Sequence, residues 1–207
     1  MRLSSKLRFT LLAAIALLAL VLGYLVAALI SPSPPLSQPT QTLSLDGSFN
    51  LIDEAGQPVT QDSYEGKFKL VYFGFTYCPD VCPMQLEVVS HALDIAKISP
   101  EWLTTLFITL DPERDTPEDM KIYTDNFHKS IIGLTGSLEQ IQQAAKAYKV
   151  YFQKVADPET TGGYTVDHSS IVFLMGPDNT YKQHFTHRDS AEDIAGKITS
   201  IIKAAQN

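Results

Sequence analysis

Cys78 and Cys82 are the only cysteines in the 207-residue chain, and they stand four apart in Cys78-Pro79-Asp80-Val81-Cys82-Pro83. That spacing sets two thiols on one side of a helical turn. A helix entry favours the thiolate, which is both the nucleophilic and the metal-binding form of cysteine. Three chemistries therefore compete: a structural disulfide, thiol–disulfide exchange and a metal site. A disulfide closing so short a loop adds little stability by loop entropy. Two thiolates are soft ligands for copper(I), zinc or iron–sulfur clusters. A cluster wants four cysteines and structural zinc wants four ligands, usually in paired motifs. One pair with one histidine makes three ligands, which suits copper(I), with copper(II) as a second state.

Five histidines are available: His91, His128, His168, His184 and His187. His91 falls on the helix expected after Cys82, and His128 at a helix end. His184 and His187 read as a solvated surface pair. His168 lies in Tyr164-Thr165-Val166-Asp167-His168-Ser169, ahead of a strong apolar run. From the residues alone, it is either a metal ligand or a loop histidine bonded to its neighbours. Asp167 could orient His168 as an outer partner, or simply close a turn. Asp111 ends an expected strand, so turn chemistry competes with a supporting or docking role. Asp115, just before a helix cap, reads as turn and capping chemistry.

The elements that must position these groups alternate. Ser48–Gly66 reads as a hairpin turning at Ala55-Gly56. Lys69–Phe75 is an expected buried strand, and Pro83–Ile98 shows helical periodicity. Thr104–Leu110 is a second strand. Thr116-Pro117-Glu118-Asp119 has the cap, proline and acids of a helix start. Ile131–Leu134, a helix from Ser137 to Tyr148 and a strand at Val150–Val155 come next. Asp157–Ser169 reads as a long loop. Ile171–Met175 and Tyr181–Phe185 pair as a hairpin, and Ser190–Ala205 is the last helix. The pattern predicts an α/β fold, a mixed sheet with helices on both faces.

The first thirty residues carry Arg2, Lys6 and Arg8 and no acid, whereas the rest carries a net −10. An overall charge of −7 lacks the basic footprint of a nucleic-acid binder. Phe9–Ile30 is uncharged and long enough to cross a bilayer. Its basic flank keeps the N-terminus cytoplasmic. The run exceeds the usual apolar core of a cleaved signal peptide, and no cysteine before Cys78 could carry a lipid. The expected organisation is a basic N-terminus at 1–8, a transmembrane anchor at 9–30, a proline-rich tether at 31–44 and a globular domain at 45–207. The setting this suits is a bacterial inner membrane, crossed once, with the domain in the periplasm. That compartment is oxidising, so metal loading and the thiol redox state must be coupled.

The chain resembles the Sco/SenC family of copper-binding, thioredoxin-fold proteins. The resemblance rests on four segments in order: Gly74–Pro83, Asp111–Pro117, Gly133–Gly136 and Tyr164–Ser169. It implies a thioredoxin-like fold and copper ligation by Cys78, Cys82 and His168. It also implies a metallochaperone role in assembling the dinuclear copper centre of cytochrome c oxidase subunit II. Members are described both as copper donors and as reductants of the target's cysteines, which leaves thiol–disulfide oxidoreductase as the alternative. Expected partners are the subunit II copper domain, an upstream periplasmic copper donor and a thiol reductant. Other thioredoxin-like groups fit less well. Dithiol oxidoreductases usually place two residues between their cysteines, where this chain has three, and a cis-proline opposite the pair, where this chain has His168. A peroxiredoxin would carry threonine or serine where Phe75 and Pro79 stand.

Overall fold

The computed structural model describes residues 16–24, 44–160 and 162–206. Residues 16–24 are helical. The rest of the expected anchor and most of the tether lie outside the described residues. Among those described, no helix is long and apolar enough to cross a membrane. The unit from Leu43 onward holds both cysteines and all five histidines.

Its centre is a seven-stranded mixed sheet in the order β2-β1-β5-β4-β3-β8-β9. β3 (Phe68–Gly74) and β4 (Leu103–Thr109) are buried at every position. Such continuous runs mark strands covered on both faces. β3 pairs in parallel with β4, and β4 with β5 (Ile131–Thr135). β8 (Ile171–Met175) adds antiparallel to β3, and β9 (Tyr181–Thr186) to β8. β1 (Asn50–Asp53) closes the other side against β5 and turns back into β2 (Pro58–Thr60). Gly56 supplies the positive φ of that turn, as Ala55-Gly56 predicts.

Four helices flank the sheet: α1 (Val81–Ala96), α2 (Pro117–Thr124), α3 (Leu138–Ala147) and α4 (Ala191–Ala205). α1 packs beside α4, α2 against β5, and α3 against β1. Thr116, Ser137 and Ser190 each close a reciprocal capping box with Asp119, Gln140 and Asp193. These boxes satisfy helix-start N–H groups that otherwise lack partners. α1 is the exception: its N-cap, Asp80, makes no side-chain cap bond. It also begins two residues before the expected Pro83, which takes Cys82 into its first turn.

One element corrects the sequence reading. Asp157–Ser169 is not a loop throughout, because β7 (Tyr164–His168) pairs antiparallel with β6 (Phe152–Ala156). The alternation in Tyr-Thr-Val-Asp-His is a strand signal hidden behind the turn residues before it. This hairpin stands apart from the main sheet, and His168 is its last strand residue.

Candidate metal centre

Cys78 lies after β3 and before α1, with its side chain part-buried, while Cys82 is fully buried in the first turn of α1. The Cys82 backbone N–H donates to Cys78 Sγ at 3.4 Å. Cys78 thus takes the place that Ser or Thr fills at the other helices, and its sulfur meets the positive end of the α1 dipole. The Cys82 thiol and the backbone at Asp80 and Cys82 stabilise a Cys78 thiolate, whose pKa falls to about 4. Cys82 moves the opposite way: it donates to Cys78, and burial disfavours its charge. Both cysteines are free in the structure.

His168 Nε2 lies 3.4 Å from Cys82 Sγ. Its Nδ1 is 3.2 Å from the Ser169 carbonyl, which can only accept, so Nδ1 carries the proton. That leaves the Nε2 lone pair directed toward the sulfurs. The ring sits edge-on to Phe75 and Tyr72, at centroid distances of 6.0 and 6.4 Å. The ligand atoms of Cys78, Cys82 and His168 all lie within 4.8 Å of one another, the only such group among the described residues. Two sulfurs and one imidazole nitrogen make a soft, three-donor set, poor for calcium or magnesium and suited to copper(I).

The supporting residues differ from expectation. Asp167 is exposed, and the Ser169 carbonyl, rather than its carboxylate, takes the His168 Nδ1 proton. Strand alternation is the reason, since neighbours along β7 face opposite ways. Asp111 is buried and accepts from Arg114 Nε and the Tyr164 hydroxyl. Asp115 is more than a turn residue. Its carboxylate accepts from the Thr76 N–H and hydroxyl at 3.1 and 2.6 Å, and from Thr109 at 2.5 Å. It ties the segment ahead of Cys78 to the end of β4. Burial pushes its pKa upward.

Sequence reasoning assigned no role to Tyr72, Gly74, Arg114 or Tyr164. The Tyr72 hydroxyl reaches Cys82 as well as Ser170. A Cβ on Gly74 would lie 2.8 Å from Cys82 Sγ. Arg114 and Tyr164 stand inside two of the four family segments, but only their burial together gives them meaning. The other histidines are occupied or exposed. His91 faces Glu87, His128 bonds Ser130, and His184 bonds Tyr181, while His187 is exposed.

Comparison with known proteins gives the family. The family described as SCO1/SenC matches residues 37–203. Protein sco1 of Schizosaccharomyces pombe is 43% identical over 159 residues, 75% of this chain and 60% of that protein. The chain thus spans about three fifths of that relative. A SCO2-like protein of Rickettsia prowazekii is 35% identical over 188 residues, 87% of this chain and 92% of that one. The crystal structure of Arabidopsis thaliana ScoI with copper bound superposes with a TM-score of 0.69 at 36% identity, covering 76% of this chain and 97% of that one. With its thioredoxin-like mixed sheet and its matched length, the chain belongs to the SCO1/SenC family.

Proposed function

We propose that this protein is a copper chaperone that holds copper(I) between the Cys78 and Cys82 sulfurs and His168 Nε2. It passes the ion to the dinuclear copper site of cytochrome c oxidase subunit II. The observation that carries the reading is the convergence of those three donors within 4.8 Å. The Cys78 thiolate, the more accessible sulfur, offers the open side on which incoming ligands displace the bound ones. Cys82 loses its proton when copper binds. Copper(II) is the oxidised form of the same site. Residues 9–30 anchor the protein in a bacterial inner membrane, 31–44 tether it, and 45–207 work in the periplasm. An upstream copper donor loads the site, and a thiol reductant keeps the pair open.

The test is an oxygen-free competition titration of the reduced full chain with copper(I) and a chelator. Cys78→Ser, Cys82→Ser and His168→Ala are run beside it. One tight equivalent is expected, lost in the cysteine variants and weakened in His168→Ala. Affinity that ignores His168 would overturn the three-donor site.

A second reading has its own support. A thiolate at Cys78 beside a protonated Cys82 is the arrangement of a dithiol reductant. The Cys78 thiolate attacks a target disulfide, and Cys82 then resolves the mixed disulfide, leaving this pair oxidised and the target reduced. Reduction of an oxidised subunit II copper domain that survives His168→Ala supports it, and failure to reduce that domain refutes it.

A further inference from the structure

His168 rides on a hairpin that the main sheet does not hold. β6 and β7 form a separate two-stranded sheet, and a lone hairpin is marginal in water. Four of the five β6 residues are exposed, and in β7 only Val166 is buried. Val166 joins the core and Phe152 and Tyr164 pack against it, and a polar contact ties the hairpin to the cysteine segment.

Arg114 supplies that contact. It lies beyond β4, outside both the hairpin and the cysteine segment. Its guanidinium lies 3.9 Å from the ring centroid of Tyr164, the first residue of β7, and 4.7 Å from that of Tyr77, the neighbour of Cys78. The Phe75 ring is at 5.9 Å. Arg114 Nη1 also donates to the Tyr164 carbonyl at 3.4 Å. Beneath it, Asp111, fully buried, accepts from Arg114 Nε and from the Tyr164 hydroxyl at 2.9 Å. Lys154 of β6 lies 4.6 Å from the Tyr164 centroid and pairs with Glu113 at 2.6 Å. A planar, permanently charged group can stack on aromatic faces while its edge bonds a carboxylate, which a lysine cannot do.

We infer that Arg114 is a positioning residue: wedged between Tyr77 and Tyr164 and keyed to Asp111, it locks the β6–β7 hairpin and sets His168 against the cysteine pair. The inference rests on the reading of His168 as a copper ligand. Arg114, Asp111 and Tyr164 are none of the three donors, and of the rings around the guanidinium Phe75 also meets His168 edge-on, so the lock acts through where His168 stands.

The test uses the full chain in detergent, as Arg114→Lys and Tyr164→Phe, beside His168→Ala. Arg114→Lys keeps the charge opposite buried Asp111, and Tyr164→Phe keeps the ring, so both preserve the fold. Hydrogen exchange on the metal-free protein is read first. Amides of 152–168 should exchange about tenfold faster, the loss of one charge-assisted bond, with β3 and β4 unchanged. The copper(II)-loaded protein is then read by electron paramagnetic resonance, where nitrogen coupling from His168 should weaken in both variants. Unchanged hairpin exchange overturns the lock. Faster exchange with intact nitrogen coupling overturns its control of His168. Nitrogen coupling that persists in His168→Ala overturns the ligand reading instead, and the exchange data then judge the lock alone.

Discussion

Gly74→Ala tests whether the site is a fitted part of the core. Gly74 ends β3, and a Cβ there would lie 2.7 Å from Phe107 Cε2 and 2.8 Å from Cys82 Sγ. Favourable contact distances are about 3.5–4.0 Å, so roughly 1 Å of movement must be found. Phe107 has little to give: it is fully buried and stacked between Tyr72 and Tyr123, at centroid distances of 5.9 and 5.5 Å. Overpacking of this kind costs about 1–3 kcal/mol. Taking ~2 kcal/mol, the melting temperature should fall by about 4–8 °C for a domain of this size. If about half of that strain moves Cys82 Sγ off its place 3.4 Å from His168 Nε2, copper(I) affinity should fall about fivefold. Thermal unfolding and chelator competition on the full chain measure the two effects. A melting point within about 1 °C of the parent, with unchanged affinity, would refute the claim that Gly74 is required by the sulfur beside it.

Three other perturbations probe the same contacts. Cys78 should stay reactive toward iodoacetamide well into acid, because its thiolate persists until the pH falls through about 4; mass mapping should find Cys82 protected, and half-maximal labelling near an ordinary thiol value would contradict the shift. Asp115→Ala strands the Thr76 and Thr109 donors, so urea unfolding should show a loss of about 2–4 kcal/mol, and a loss under about 0.5 kcal/mol would mean the network is slack. Thr116→Ala removes the hydroxyl that accepts from the Asp119 N–H at 3.2 Å and should cost about 1 kcal/mol in urea unfolding.

The central strands, the capped helices and the cysteine pair at a helix entry are legible in the sequence. Each is written in local chemistry: continuous apolar runs for β3 and β4, Thr116 and Ser137 ahead of their helices, and a four-residue spacing for Cys78 and Cys82. His168 is legible there only as one of two readings. Its Nε2 meets Cys82 across 86 positions of chain, and no local pattern encodes such a distance. Folding makes β7 a strand, since its partner β6 lies beyond a turn rich in glycine and polar residues. Folding also puts the Ser169 carbonyl where Asp167 was expected, because strand alternation fixes which neighbour faces the ring. Arg114, Asp111 and Tyr164 acquire their joint role in the same way: a buried carboxylate must find its cation, and the chain segments that supply the partners meet only in the folded molecule.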